Sequence, residues 1–326
     1  MERKLPAVTR NFEVLRISVT SSCGLACAYC APRTSPTPAH SHLQENPAPS
    51  LFLPPSLLQR KLAVLQSRLH IKEVHLTGGE PTLHRALPDL IETIALSGIK
   101  DIALTSNGFF AQELLETMKL AGLTRINFSC DSLSADGFAR MSGRNVALTP
   151  LLENIDHAQQ LGLPVKMNCT VVRGYNEDQI TPLLRYAGNR NIPIRYLELM
   201  KMGPLHDDHQ QLFVSAAEIR DKILEEYSFS NAATAIDSTA NYFKTDEGFR
   251  FGTIANHTEP FCHGCNRIRM DARGNIYGCL SDPTYYQIPD SSEGQFEEID
   301  RALRNAMQTK KSQFTGSSLS MKFIGG

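Results

Sequence analysis

Apolar residues recur along this chain in two alternating rhythms. Short runs rich in β-branched or apolar residues, VLRISVT at 14–20, EVHLTGG at 73–79, DIALTSNG at 101–108, RINFSCD at 125–131, VKMNCTVV at 165–172 and IRYLELM at 194–200, read as strands. Between them lie segments with helical spacing: PSLLQRKLAVLQSRL, ALPDLIETIALSG, AQELLETMKLAG, LTPLLENIDHAQQLG and EDQITPLLRYAGNRN, several closing on a glycine. A sixth, SAAEIRDKILEEY at 215–227, opens on Ser215 with Glu218 three residues on, the pattern of a capping box. Six strands alternating with six helices predict an α/β fold with a parallel sheet, either doubly wound or curled into a partial barrel. In both architectures the loops that leave the C-terminal strand ends line the functional face.

The rhythm breaks twice. Residues 34–55 hold many prolines and neither period, which predicts a long loop, bordering the site or a mobile surface insertion. After Tyr227 the alternation stops, so residues 1–227 and 228–326 are expected as two units. The second unit has a strand-like FRFGTIAN, a hairpin RIRMDARGNIYGCL turning near Gly274, a helix near 295–308 and a polar tail ending MKFIGG.

Composition narrows the classes. With 33 basic and 34 acidic residues in 326, the chain has no general attraction to nucleic acid or anionic membranes, so any anion site must be local. No apolar run suits a signal peptide or a membrane span, and a cytoplasmic address is expected. Eight cysteines in a long chain of this kind point to metal ligation rather than to a disulfide framework. Cys130 and Cys169 stand alone in apolar runs and are expected in the core. The other six form two groups, Cys23, Cys27 and Cys30, then Cys262, Cys265 and Cys279.

Each group offers three thiols where a closed zinc site wants four ligands. Three thiolates on a cubane leave one iron open to a substrate or cofactor. The first group reads C-x3-C-x2-C with Tyr29 before its last cysteine, and TGGEP follows at the end of the second strand. On these motifs the chain strongly resembles the radical S-adenosylmethionine (SAM) superfamily. The second group, in FCHGCNRIRMDARGNIYGCL, is similar to the C-terminal cluster motif of the GTP 3',8-cyclase family. That likeness extends through DSLSADGFARMSGR, VKMNCTVVRGYNEDQI, IRYLELMKMGP, LFVSAAEI and the final IGG, nearly the whole chain.

The resemblance implies a partial (β/α)6 barrel of the TIM type with a smaller C-terminal α+β module. It implies two [4Fe-4S] clusters, one on each cysteine group, and SAM cleaved to a 5'-deoxyadenosyl radical. That radical would take hydrogen from ribose C3' of GTP, whose C3' would then bond guanine C8, the first step of molybdenum cofactor biosynthesis. Carried over residue by residue, Tyr29, Gly78, Gly79, Glu80, Thr105, Ser129 and Met200 fall on SAM-binding positions. Arg16, Lys166, Arg195, Arg267 and Arg269 fall on basic positions that meet triphosphate, ribose or intermediate, and Gly325 and Gly326 on a tail that enters the active site. Implied partners are an electron donor of flavodoxin or ferredoxin type, a downstream cyclic pyranopterin monophosphate synthase and a second copy in a homodimer, with no nucleic acid or membrane.

Departures from the family pattern lie at Glu73 and His75, where relatives carry Lys-x-Arg, and at Ser21, Ser22 and Gly24 beside the first cysteine. They keep open a divergent two-cluster enzyme acting on another nucleotide or a peptide. A structural zinc with His263 as fourth ligand, a non-catalytic iron or redox sensor and an RNA-modifying role are further readings, the last opposed by the lack of a basic stripe.

Overall fold

The structure, a computed structural model, describes residues 11–30, 51–234, 238–317 and 320–324. Six strands, β1 (Val14–Ser18), β2 (Glu73–Thr77), β3 (Asp101–Ser106), β4 (Arg125–Ser129), β5 (Val165–Val171) and β6 (Ile194–Glu198), run parallel in chain order. Helices α1 (Pro55–Gln66), α2 (Leu87–Leu96), α3 (Gln112–Leu120), α4 (Ala135–Ser142), α5 (Thr149–Gln160) and α6 (Ile180–Gly188) connect them. Proline in the first turn starts α1, α2 and α5, where its missing N–H costs no helical bond. Helix α4 had no counterpart among the expected elements. It is only two turns long, too short for a periodic signal, and Ser134 caps it by accepting the Gly137 N–H.

The chain then passes through α7 (His209–Leu212) and α8 (Ala216–Leu224), whose Ser215 and Glu218 make the expected capping box. Strands β7 (Phe229–Asn231), β8 (Asn241–Thr245) and β9 (Arg250–Ile254) join the β6 edge. Strands β10 (Arg267–Met270) and β11 (Ile276–Tyr277) join the β1 edge, and α9 (Phe296–Gln308) follows. One eleven-stranded sheet results, in the order β11-β10-β1-β2-β3-β4-β5-β6-β9-β8-β7, and its two ends do not pair, so the barrel is partial. Residues 34–50 of the proline-rich stretch lie outside the described residues, as do Gly325 and Gly326.

The two faces of this sheet differ in chemistry. Leu15, Ile17, Val74, Leu76, Ile102, Leu104, Ile126 and Phe128 point to one face and are buried with Leu58, Leu62, Leu90, Ile91 and Ile94 of the helices. Alternate residues take the other face, since side chains on a strand repeat with period two. The register sets Arg269, Arg16, His75, Ala103 and Arg125 in one row across five strands, and Thr105, Asn127 and Lys166 in another. A doubly wound sheet is covered by helices on both sides and needs apolar residues on both. The polar face is therefore the inside of the partial barrel.

Candidate active site

Cys23, Cys27 and Cys30 lie on the loop that leaves β1, and backbone contacts hold that loop over the strand ends. Gly79 N–H donates to Thr20 O and Glu80 N–H to Ser22 O, both at 2.6 Å. The β2 turn approaches so closely that a Cβ on Gly79 would lie 2.1 Å from Ser22 O, and one on Gly78, at φ +155, 2.4 Å from Thr20 O. Only glycine leaves room there. On the far side Ala26 N–H donates to Ser142 O at 2.8 Å and Ala28 N–H to Met141 O at 2.9 Å, which ties the loop to the end of α4.

Glu80 locks the β2 turn to the β3 turn. Its buried carboxylate accepts the Thr82 N–H and O–H, the Ser106 O–H and the Asn107 N–H at 2.7 to 3.1 Å. Burial nonetheless raises the Glu80 carboxyl, against those four donors. Asn107 in turn brings its amide to 4.0 Å from Cys23 Sγ. Tyr29 O–H donates to Asp131 Oδ2 at 2.9 Å, and Asp131 Oδ1 accepts the Thr170 N–H at 2.8 Å, so the loop also reaches β4 and β5. Tyr29, Cys30, Thr170, Met200 and Met321 line one cleft, which places Met200 beside the cysteine loop.

Asp131 yields a pH prediction. Burial, the largest influence, pushes its carboxyl from 3.8 up to about 6, while the bonds from Thr170 and Tyr29 pull it down. The folded carboxyl thus holds its proton more tightly than the unfolded one. Above the folded value the group costs stability, and that cost disappears as pH falls through 6 toward 3.8. Asp131→Asn, which keeps an oxygen for Thr170, is expected to be more stable than the parent at neutral pH, by up to about 3 kcal/mol. Denaturant unfolding of the metal-free protein across this range checks it: the advantage should shrink steadily on acidification, and a constant or opposite difference rejects it.

The thiols themselves fit polynuclear iron better than a single ion. Among the described residues no three Cys, His, Asp or Glu groups gather as one ion's shell. Three thiols on one loop, and three around one turn and hairpin, are soft donors of the kind that ligate an iron–sulfur cluster and leave one iron open. Burial pushes Cys23 up to about 11, Cys27 well above the ordinary thiol value and Cys30 up, so ligation there must displace protons. Cys130 and Cys169 are fully buried in the core, as expected.

Cys262, on a short turn with Cys265, and Cys279, just past β11, form the second group beside the β1 edge. Burial is again the largest influence and pushes the Cys265 thiol up, but Lys310 and Arg267 together bring it down to about 7. Burial raises Cys262.

Between the two groups lies the polar interior, crowded with cations. Burial, then Arg269, Arg267 and Arg195, pull Arg16 well below the ordinary arginine value, with Glu73 opposing. Burial brings Arg269 down to about 10, with the Cys265 thiol opposing and Arg267 adding to the fall. Arg195 is lowered chiefly by burial and is aimed by Asn168 Oδ1 at 2.8 Å and Asn127 Oδ1 at 3.0 Å. Lys166 sits over the Tyr242 ring at 5.9 Å, and Arg267 over Phe261 at 5.2 Å. Buried like charges that depress one another in this way are relieved by a bound polyanion. Thr105, bonded by Asn127 at 3.3 Å, and Ser129 stand toward the cysteine-loop end of the same face.

Several partners of the expected residues carried no motif: Asp131, Asn107, Asn127, Asn168 and Tyr242. Strict alternation along the predicted strands is the signal that marks Asn127 and Asn168 as neighbours of Lys166 and Arg195, whereas Tyr242 lies on β8, a strand the sequence reading does not predict. Glu73 pairs with Arg125 at 2.6 Å, and Arg125 also meets Asp101 at 2.8 Å. His75 Nε2 lies 3.1 Å from Glu73 Oε1 without hydrogen-bond alignment. Burial and the arginines around it, Arg16 first, hold its imidazole well below the ordinary histidine value. The tail closes over the mouth: Ser18 O–H donates to Lys322 O at 2.6 Å and Ser320 O–H to Cys30 O at 3.1 Å. No helix among the described residues is long and apolar enough to cross a membrane.

A family model described as the radical SAM superfamily matches residues 17–187, and one described as molybdenum cofactor synthesis C matches residues 192–316. A GTP 3',8-cyclase of Aquifex aeolicus is 38% identical over 277 residues, 85% of this chain and 84% of the relative. Another, of Nautilia profundicola, is 33% identical over 304 residues, 92% of this chain and 91% of the relative. Among solved structures, Streptococcus suis SuiB bound to S-adenosylmethionine shares the fold at TM-score 0.62 and 14% identity, over 92% of this chain and 68% of SuiB.

Proposed function

The chain belongs to the radical SAM superfamily and, within it, to the GTP 3',8-cyclase family, and on that premise we propose that it converts GTP to (8S)-3',8-cyclo-7,8-dihydroguanosine 5'-triphosphate. This is the first step of molybdenum cofactor biosynthesis, and SAM and two [4Fe-4S] clusters are its cofactors. The observation that carries the reading is the polar barrel interior, lined with buried cations and bounded by a three-thiol group at each of two places.

In this reading Cys23, Cys27 and Cys30 hold the first cluster, and Cys262, Cys265 and Cys279 the second. When bound, the first cluster and SAM supply a carbon radical strong enough to take an unactivated ribose hydrogen. The residues of the chain bind and orient. The Gly78, Gly79 and Glu80 turn, with Tyr29, Thr105, Ser129 and Met200, lines the SAM end. Arg16, Lys166, Arg195, Arg267 and Arg269 meet the triphosphate, for which guanidinium forks are suited. Gly325 and Gly326, beyond the described residues, follow a tail already seated at the mouth. Residues 1–227 act as the barrel unit and 228–326 as the unit with the second cluster, in a cytoplasmic homodimer served by a flavodoxin-type or ferredoxin-type donor. The product passes to a cyclic pyranopterin monophosphate synthase.

A second reading, another nucleotide or a peptide as substrate, is favoured by one observation. Glu73 occupies Arg125, and His75 is held toward its neutral form, so neither adds positive charge for phosphate.

Incubation of the anaerobically reconstituted protein with SAM, dithionite and GTP separates the two. Deoxyadenosine rising with GTP, and a product of GTP mass that Cys262→Ala fails to make, is the expected result. Deoxyadenosine without a GTP-dependent product would keep the radical chemistry and remove GTP as substrate.

A further inference from the structure

The two cysteine groups differ in the charge aimed at their sulfurs. In the first, the hydrogen-bonding groups near sulfur are neutral and distant, the Asn107 amide at 4.0 Å from Cys23 and the Ser320 hydroxyl at 3.9 Å from Cys30, while the Lys322 ammonium acts on Cys23 and Cys30 through space and, among the described residues, makes no hydrogen bond to either sulfur. In the second, the Lys310 ammonium lies 3.2 Å from Cys265 Sγ, and the Arg267 guanidinium follows at 3.8 Å.

Lys310 is fixed in this aim from three directions. It donates to Arg267 O at 2.8 Å and lies over the Phe12 ring at 5.2 Å. The helix that delivers it is packed on the cysteine hairpin itself: a Cβ on Gly278, the neighbour of Cys279, would lie 1.6 Å from Ala306 O in α9. Among the described residues no carboxylate forms an ion pair with Lys310, so its counter-charge is sulfur.

We propose that Lys310 is a positioning residue for the second cluster, holding Cys265 Sγ through an N–H···S hydrogen bond and raising that cluster's reduction potential. The proposal rests on the reading of Cys262, Cys265 and Cys279 as cluster ligands. A cationic donor on a ligating sulfur withdraws electron density from iron and stabilises the more negative, reduced state. The same withdrawal makes an open iron a better acceptor for a nitrogen or oxygen of a bound purine.

The test uses the full chain with Cys23, Cys27 and Cys30 changed to alanine, so that only the second cluster reports. After anaerobic reconstitution, iron is counted and the midpoint is read by potentiometric titration followed by electron paramagnetic resonance. Lys310→Met should lower the midpoint by about 59 mV or more, a tenfold change in the one-electron equilibrium. Lys310→Arg, which keeps a cationic donor, should recover most of it. An unchanged midpoint in Lys310→Met overturns the proposal. If Lys310→Met holds no cluster, Lys310→Gln decides: a lowered midpoint supports the assignment, and one equal to the parent's overturns it. A parent background that binds no iron with Lys310 intact would instead overturn the ligand reading, and the proposal with it.

Discussion

Gly79→Ala is expected to stop deoxyadenosine formation while leaving the second cysteine group intact. The new Cβ would lie 2.1 Å from Ser22 O, 2.6 Å from Ser22 C and 2.8 Å from Ser21 O, all backbone atoms that no rotamer change can move aside. The cysteine loop must therefore shift, breaking the Glu80 N–H bond to Ser22 O and drawing Cys23 away from its partners. A displacement near 1 Å costs ~100-fold in rate when reacting groups must align. About half of the iron should also be lost, since one of two clusters loses its seat. Gly24→Ala is the matched control, because a Cβ there meets nothing within 4 Å although it sits between Cys23 and Cys27. Deoxyadenosine yield and iron content of the two variants decide: a Gly79→Ala protein that cleaves SAM like Gly24→Ala would remove the turn from the cofactor site.

Cys265→Ala should separate two events that Cys27→Ala abolishes together. Cys265 is the thiol on which Lys310 and Arg267 converge, far along the chain from the first loop, and its loss leaves the contacts of Thr20, Ser22, Ala26, Ala28 and Tyr29 untouched. SAM cleavage should therefore persist, with deoxyadenosine formed slowly and no longer dependent on GTP. The GTP-dependent product should fall at least ~100-fold, because the substrate is no longer held against the radical source. Mass spectrometry of both products under single-turnover conditions is the measurement. Normal product from Cys265→Ala would show that the second group does not anchor the substrate.

The ends of the strands were easier to read than their interiors. Three thiols at fixed spacing and a Gly-Gly-Glu-Pro turn have few other uses, so they stand out in one dimension. Arg16, Lys166 and Arg195 could be picked out because a charge inside an apolar strand needs a reason. Arg125 could not, since it opens its strand, where charge is ordinary; only the register beside Ala103 and the pairing with Glu73 place it in the interior. The Asp131 anchor of Tyr29 was likewise invisible, because it rests on a partner 102 residues away in sequence, while helix α4 and strand β7 are too short to carry a period of their own.

The sequence by itself determined the alternation of strands and helices, the capping box at Ser215, the two thiol groups and the burial of Cys130 and Cys169. These are local properties: periodicity, propensity and ligand spacing act over a few residues. The strand and helix pattern alone does not say whether the parallel sheet is doubly wound or curled; the family resemblance implies a partial barrel, and the tertiary structure supplies the physical reason, a face of Arg, Lys, Asn and Thr that helices could not cover without stranding charge. The fate of Glu73 and the aim of Lys310 at Cys265 also belong to tertiary structure. Glu73 finds Arg125 two strands away, and Lys310 arrives just past the end of α9, 45 residues after the thiol that it holds. Electrostatic and hydrogen-bond partners of this kind are set by distance in space, which the order of residues does not carry.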